Sequence, residues 1–133
     1  MPRIAVIGAG LSGLAAAYRL SSRGHEVRLF EKSRGLSGRA ASRSRNGCRY
    51  DHGANYFKVR CNEVARLLFD ELPTGELCRI VGDVWTFDRD GAVEPGDSGR
   101  DRGAKWTYRS GISTLGKLLV QVGDLDVRGE TFV

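Results

Sequence analysis

Residues of the usual catalytic and metal-binding kinds are scarce in this chain. Its 133 residues hold three cysteines and two histidines. Cys48, Cys61 and Cys78 are widely spaced and form no C-x-x-C, and we read no metal site in His25 and His52 with these scattered cysteines. An odd number of cysteines without a framework fits reduced thiols in a cytoplasmic protein. No serine–histidine–acid or cysteine–histidine arrangement can be built, so nucleophilic catalysis has no candidates. Long apolar runs are missing too. Gly8, Gly10 and Gly13 interrupt the apolar start and Arg19 cuts it short, so we read neither a signal peptide nor a membrane span. No internal repeat and no long low-complexity stretch occurs. The length allows one domain of the usual size, roughly 100–150 residues. It is too short for a cofactor domain plus a separate substrate domain.

Charge is present in excess of one sign. The formal net charge is +5 and the pI about 9.4. The excess is local: Lys32, Arg34, Arg39, Arg43, Arg45 and Arg49 share one segment, with Glu31 and Asp51 at its edges. Such a segment is either a solvated loop, a patch for nucleic acid, or counter-charge for a phosphate-rich ligand.

Local patterns give the elements. Ile4–Ile7 is wholly apolar, as in a strand buried on both faces of a parallel sheet. A helix follows from about Ser12 to Arg23, with Leu14, Ala15, Tyr18 and Leu20 near helical spacing and Gly24 as a left-handed cap. Val27–Phe30 is a second strand, and the strand–helix–strand unit predicts parallel pairing with a right-handed crossover. Residues 33–53 read as loop, with room for a short helix. Asn62–Leu72 reads as a helix capped by Asn62 and ended by Pro73, with Val64, Leu67, Leu68 and Leu72 in one stripe. Val84–Phe87 and Ala92–Val93 form a hairpin through Asp90-Gly91. Gly96–Gly103 is a polar loop. Lys105–Arg109 alternates. Trp85, Phe87, Trp106 and Tyr108 read as sheet core or as the wall of a substrate cavity. Ser113–Val122 is a helix with Ile112, Leu115, Leu118, Leu119 and Val122 inward and Gly123 as its cap. Leu125–Val127 starts a further strand. The expected fold class is therefore α/β: a Rossmann-like parallel sheet with a small antiparallel insertion, left incomplete. The segments are 1–78 for the dinucleotide-binding unit with its glycine/arginine loop, 79–110 for the start of the inserted substrate-side sheet, and 111–133 for a helix and strand returning to the first unit.

The opening carries the chemistry. In Gly8-x-Gly10-x-x-Gly13, Gly8 permits a sharp turn out of the strand, Gly10 lets pyrophosphate approach bare backbone, and Gly13 lets the helix pack close to the sheet. The helix N-terminus then offers free N–H groups to phosphate. Glu31 ends the second strand, where a carboxylate can accept hydrogen bonds from both hydroxyls of an adenosine ribose and would repel a 2′-phosphate. FAD and NAD both satisfy this much. The following RGLSGR stretch, residues 34–39, adds a second glycine turn with Arg39, whose forked guanidinium suits phosphate. Ser12 adds a hydroxyl donor.

These motifs resemble the N-terminal part of the flavin-containing amine oxidase superfamily, and most of all its renalase-like branch. The resemblance rests on Gly8–Gly13, Glu31-Lys32, Ser37-Gly38-Arg39, the Asp51–Phe57 segment DHGANYF, and the later KWTYRSGISTLGKLL stretch. It implies FAD as cofactor. It implies phosphate and ribose contacts at Gly10, Ser12, Glu31 and Arg39, with Asn55 and Tyr56 near the flavin end. The full candidate set is Gly8, Gly10, Leu11, Ser12, Gly13, Glu31, Lys32, Gly38, Arg39, Asn55 and Tyr56. No catalytic residue and no metal ligand is named, because a flavin itself carries the reaction. Two positions depart from the family pattern: Ser37 replaces the first glycine of a pair, and Asn55 stands where glutamine is usual. The family continues well past this length, so the chain is expected to be an N-terminal portion, inactive alone and open to self-association. The function implied is hydride transfer from a small reduced substrate, a dihydronicotinamide or an amine, to FAD, with oxygen as acceptor. The partners implied are a small molecule, with neither nucleic acid nor membrane. Alternatives are an NAD-binding dehydrogenase fragment and a non-enzymatic basic module for nucleic acid.

Overall fold

A computed structural model describes residues 2–83, 85–96 and 103–133. Val84 and most of the polar loop expected over 96–103 lie outside the described residues.

The chain opens with strand β1 (Arg3–Ile7), helix α1 (Leu11–Ser21) and strand β2 (Glu26–Phe30). β1 and β2 pair in parallel, Ile4 opposite Val27 and Val6 opposite Leu29. Gly24 turns the chain at φ +83°, as a left-handed residue after the helix must. Near the end, helix α3 (Thr114–Val122) leads into strand β10 (Asp126–Arg128), which pairs in parallel with β2. The sheet order is therefore β1-β2-β10, with α1 and α3 packed together.

The core lies between that sheet and the two helices. Leu14, Ala17, Leu29, Ile112 and Leu119 are wholly or almost wholly buried, joined by Leu68, Leu72 and Tyr108. Burial of one such leucine is worth about 1.5–3 kcal/mol. The sheet is covered on one face only. Residues of β1 alternate between half-buried and exposed, and Ile7 is 61% exposed, so the strand is not buried on both faces as its apolar run implied. Val122 also faces outward, because the buried face of α3 runs through Leu115, Gly116 and Leu119.

Between these parts the described residues build three antiparallel sheets. Strands β3 (Ser42–Arg45) and β4 (Cys48–Asp51) form a hairpin where a loop or short helix was expected. Asn46 and Gly47 turn it at φ +51° and +75°, the geometry that Asn-Gly is suited to. Strand β5 (Phe57–Lys58) and strand β6 (Leu77–Ile80) flank strand β9 (Lys105–Tyr108). Sequence reading had missed both flanking strands. Strands β7 (Trp85–Phe87) and β8 (Val93–Pro95) form the expected hairpin.

The helix expected over Asn62–Leu72 is composite. Helix α2 (Asn62–Arg66) gives way to a π turn over Leu67–Glu71, closed by the Leu72 N–H donating to the Leu67 carbonyl. Its cap position is Cys61, with no side-chain cap bond, so Asn62 is inside the helix rather than capping it. The Glu71 carboxylate at the end of the turn accepts from Arg19 at 2.8 Å and from the Tyr18 hydroxyl at 3.2 Å, which pins α1 to this segment. The aromatic residues divide. Tyr108 is buried beside Phe57, and Trp106 meets Phe69 edge-on at 5.0 Å, but Trp85 and Phe87 are exposed and are not core.

Candidate functional site

The three glycines act separately. Gly8 adopts φ +96°, closed to most side chains. A Cβ on Gly13 would overlap the Gly8 carbonyl, so α1 can start this close to β1 only without one. Gly10 faces open space. It caps α1 through backbone alone, with no capping side chain and no acid in the first turn. The leading N–H groups of α1 therefore remain unneutralised at the protein surface, the condition for receiving an anion.

The 34–39 stretch lies across this helix end. Gly10 and Ser37 form a parallel bridge, and the Ser37 N–H donates to the Ala9 carbonyl at 2.8 Å. Ser37 occupies φ +78° and is 1% exposed. Its hydroxyl turns away from the cleft, toward the Ser113 carbonyl at 3.4 Å. The serine in place of a glycine thus leaves the outer face of the loop bare. Gly38, at φ +54°, would set a Cβ 3.2 Å from the Gly10 Cα. Together Gly10, Leu11, Ser12, Ser37, Gly38, Arg39 and the His52–Ala54 stretch line a cleft of about 830 Å³. Its floor is backbone, its edge carries the Arg39 cation, and the end of α1 opens onto it. That donor set fits the pyrophosphate of a dinucleotide.

Glu31 is held rather than free. One carboxylate oxygen accepts the Ala9 N–H at 2.7 Å, the other the Ser33 N–H at 2.8 Å. These two bonds, first Ser33 and then Ala9, hold its carboxyl below the ordinary carboxylate range, against a smaller opposing push from burial. It stays ionised and keeps lone pairs for further donors. A smaller hollow of about 240 Å³, lined by Ile7, Gly8, Glu31, Lys32 and the 131–133 stretch, adjoins it.

The structure therefore gathers Gly10, Leu11, Ser12, Gly38 and Arg39 in the cleft, with Gly8, Glu31 and Lys32 at the adjoining hollow. Asn55 and Tyr56 are exposed just past Ala54, the last lining residue, and the Tyr56 ring stacks under Lys105 at 5.0 Å. Sequence reading missed the support beneath. A Cβ on Gly53 would strike the Arg39 carbonyl, and the Ala54 N–H donates to that carbonyl at 3.0 Å. One Asp51 oxygen accepts both the Ser42 hydroxyl, at 2.6 Å, and the Ile112 N–H, at 3.0 Å. Ser42 in turn accepts the Ser113 N–H at 3.1 Å. This clasp ties the β3–β4 hairpin to the start of α3, and Ser37 ties α3 to the phosphate loop.

Comparison with known proteins agrees with this fold. A family model described as an NAD(P)-binding Rossmann-like domain matches residues 6–72. The chain is similar to protoporphyrinogen oxidase 2, chloroplastic/mitochondrial, of Arabidopsis thaliana, with 48% identity over 68 residues; these are 51% of this chain and 13% of that protein. It is also similar to a 4,4'-diapophytoene desaturase of Staphylococcus aureus, with 51% identity over 51 residues, 38% of this chain and 10% of that protein. The chain thus matches only a small part of the length of these curated relatives. Among solved structures, CtdE in complex with FAD and substrate 4 superposes with a TM-score of 0.61 at 19% identity, over 100% of this chain and 31% of that one. At that identity the likeness concerns the fold.

Proposed function

Since this chain belongs to the NAD(P)-binding Rossmann-like domain family, we propose that it is the cofactor-binding portion of an FAD-dependent oxidoreductase. The observation that carries the reading is the ionised Glu31 beside an uncapped helix end floored by Gly10 and Gly38. Glu31 holds the adenosine ribose, the N–H groups at Leu11 and Ser12 and the Arg39 guanidinium take the pyrophosphate, and Asn55 and Tyr56 stand toward the flavin. When bound, FAD supplies a ring that takes hydride from a small reduced substrate and yields the electrons to oxygen. The residues named here bind and orient the cofactor, and none is given a catalytic role. The names of the two sequence relatives, an oxidase and a desaturase, support redox chemistry of this class. The renalase-like motifs favour a dihydronicotinamide as substrate, and the wider superfamily an amine.

A second reading, NAD in place of FAD, draws on the description of the family model. Titration separates the two. On the FAD reading, flavin fluorescence is quenched on adding protein, and FAD binds at least tenfold more tightly than NAD. Glu31→Ala and Arg39→Ala each weaken FAD about ten- to hundredfold, the loss of one charged hydrogen bond of about 1.5–3 kcal/mol. Tighter binding of NAD than FAD would transfer the assignment to the second reading.

A further inference from the structure

We propose that the outer edge of β1 pairs with the same strand of a second copy of this chain, joining two parallel sheets into one. Among the described residues β1 has a single strand partner, β2. The Gly8 N–H donates to the Phe30 carbonyl at 2.7 Å. Backbone groups alternate in direction along a strand, so those of Arg3, Ala5 and Ile7 point away from β2. All three residues are exposed. Protein sheets ordinarily blunt such an edge with charge, proline or shortness. The opposite edge of this sheet is blunted in that way. β10 is 3 residues long, and two of them, Asp126 and Arg128, are charged. Its Arg128 carbonyl accepts the Glu31 N–H, so only Val127 turns its backbone groups outward. β1 has no such device from Ile4 to Ile7. The contrast between the two edges is what points to a strand partner.

The residues of β1 select a second copy as that partner. Antiparallel pairing about Ala5 sets Ala5 opposite the second copy's Ala5, and Arg3 opposite its Ile7. Each of these pairs exchanges both backbone hydrogen bonds, and no other register uses all of Arg3, Ala5 and Ile7. Between them, at the closely spaced positions, Ile4 meets the second copy's Val6 on the core side of the sheet. Pairs of β-branched residues are favourable there. Charge agrees with the same register. The two Arg3 side chains stand about 14 Å apart along the strand, each beside Glu26 of its own sheet. A register that set Arg3 against Arg3 would oppose like charges and keep one bonded pair. The joined sheet runs β10-β2-β1-β1-β2-β10, about six strands, an ordinary size. The same patch serves both copies, so association closes at a dimer. None of this depends on the cofactor.

Sedimentation velocity of the full chain tests the pairing. The wild type is expected to move toward twice the 14.6 kDa mass of one chain as its concentration rises. The relevant range is about 5 to about 500 μM, that of a weak dimer. Ala5→Lys and Ala5→Glu each set like charges face to face at the centre of the pairing and weaken it about fivefold or more. Mixing these two variants sets opposite charges there and restores association to within about twofold of the wild type. Ser44→Lys adds the same charge on the exposed part of β3 and leaves association within about twofold. The Ala5 side chain is exposed, so the variants fold, and matching thermal midpoints at the lowest concentration verify it. Hydrogen exchange reads the wild type alone. Between the two concentrations the Ala5 and Ile7 amides slow about threefold, and those of Ile4 and Val6, already turned toward β2, slow less. A wild type that stays monomeric at the upper concentration overturns the proposal and leaves the edge to a strand of another polypeptide. So do variants that associate as strongly as the wild type, a mixture that associates no better than either variant alone, or Ala5 and Ile7 amides that ignore concentration.

Discussion

Ser37 shows what one atom costs and what accommodates it. A non-glycine residue at φ +78° carries strain of about 1–2 kcal/mol. It is tolerated here because its hydroxyl fills a notch opened by the absent side chain of Gly116: a Cβ on Gly116 would overlap the Ser37 oxygen and lie 3.0 Å from a Leu14 methyl. The two positions should therefore couple. Gly116→Ala alone overpacks the contact and destabilises by about 1–3 kcal/mol. Ser37→Gly alone trades strain against a weak buried hydrogen bond and is close to neutral. In the double variant the alanine methyl enters the space left by the serine, so the double variant is more stable than the sum of the singles by about 1 kcal/mol. Urea unfolding of the four proteins measures the cycle. Strict additivity would mean that the two residues do not share this space in solution.

At the scale of elements, the β3–β4 hairpin and α3 matter to the site through one carboxylate. Asp51→Ala leaves the Ser42 hydroxyl and the Ile112 N–H without their acceptor in a part-buried place. The expected loss is about 2–6 kcal/mol, at about 1–3 kcal/mol for each of the two unsatisfied groups. Asp51→Asn keeps a carbonyl oxygen at the same reach and should lose less than half as much by thermal unfolding. Equal losses for the two would mean that the charge, not the acceptor geometry, holds the clasp. Sequence reading could not find this bond, since Asp51 and Ile112 are 61 positions apart and nothing local marks the pair. The β1–α1–β2 unit was legible because each of its turns is enforced by a glycine with its own steric reason. The β7–β8 hairpin was legible from Asp90-Gly91. The β3–β4 hairpin was overlooked although Asn46-Gly47 is as strong a turn signal, because alternating serine and arginine hide the apolar period that identifies a strand. β5 and β6 are only two and four residues long and become strands by pairing with β9, which a local reading does not see.

Across the whole molecule, stability is expected to be uneven, because burial is. The interior is concentrated where α1, α3 and β2 meet, and Leu29 of β2 is fully buried between two strand partners. The β7–β8 hairpin lies at the other extreme. Trp85, Phe87 and Val93 are 58%, 81% and 63% exposed, and among the described residues the hairpin pairs with no other strand. A two-stranded ribbon of this kind is marginal in water by itself. Native-state hydrogen exchange should therefore resolve two classes of amide. Those of β2, which donate within a sheet covered by α1 and α3, should exchange only through global unfolding, with protection equal to the free energy from urea melts. Those of β7 and β8 should exchange through local opening, at least a thousandfold faster, and without dependence on mild denaturant. Adding the cofactor should slow the first class further, since a ligand bound at Gly10 and Glu31 stabilises the unit that contains β2, and should leave the hairpin unchanged. Hairpin amides protected as strongly as those of β2 would show that a partner covers Trp85 and Phe87 in solution, and the division of the molecule into a firm cofactor-binding body and a loosely held ribbon would then be wrong.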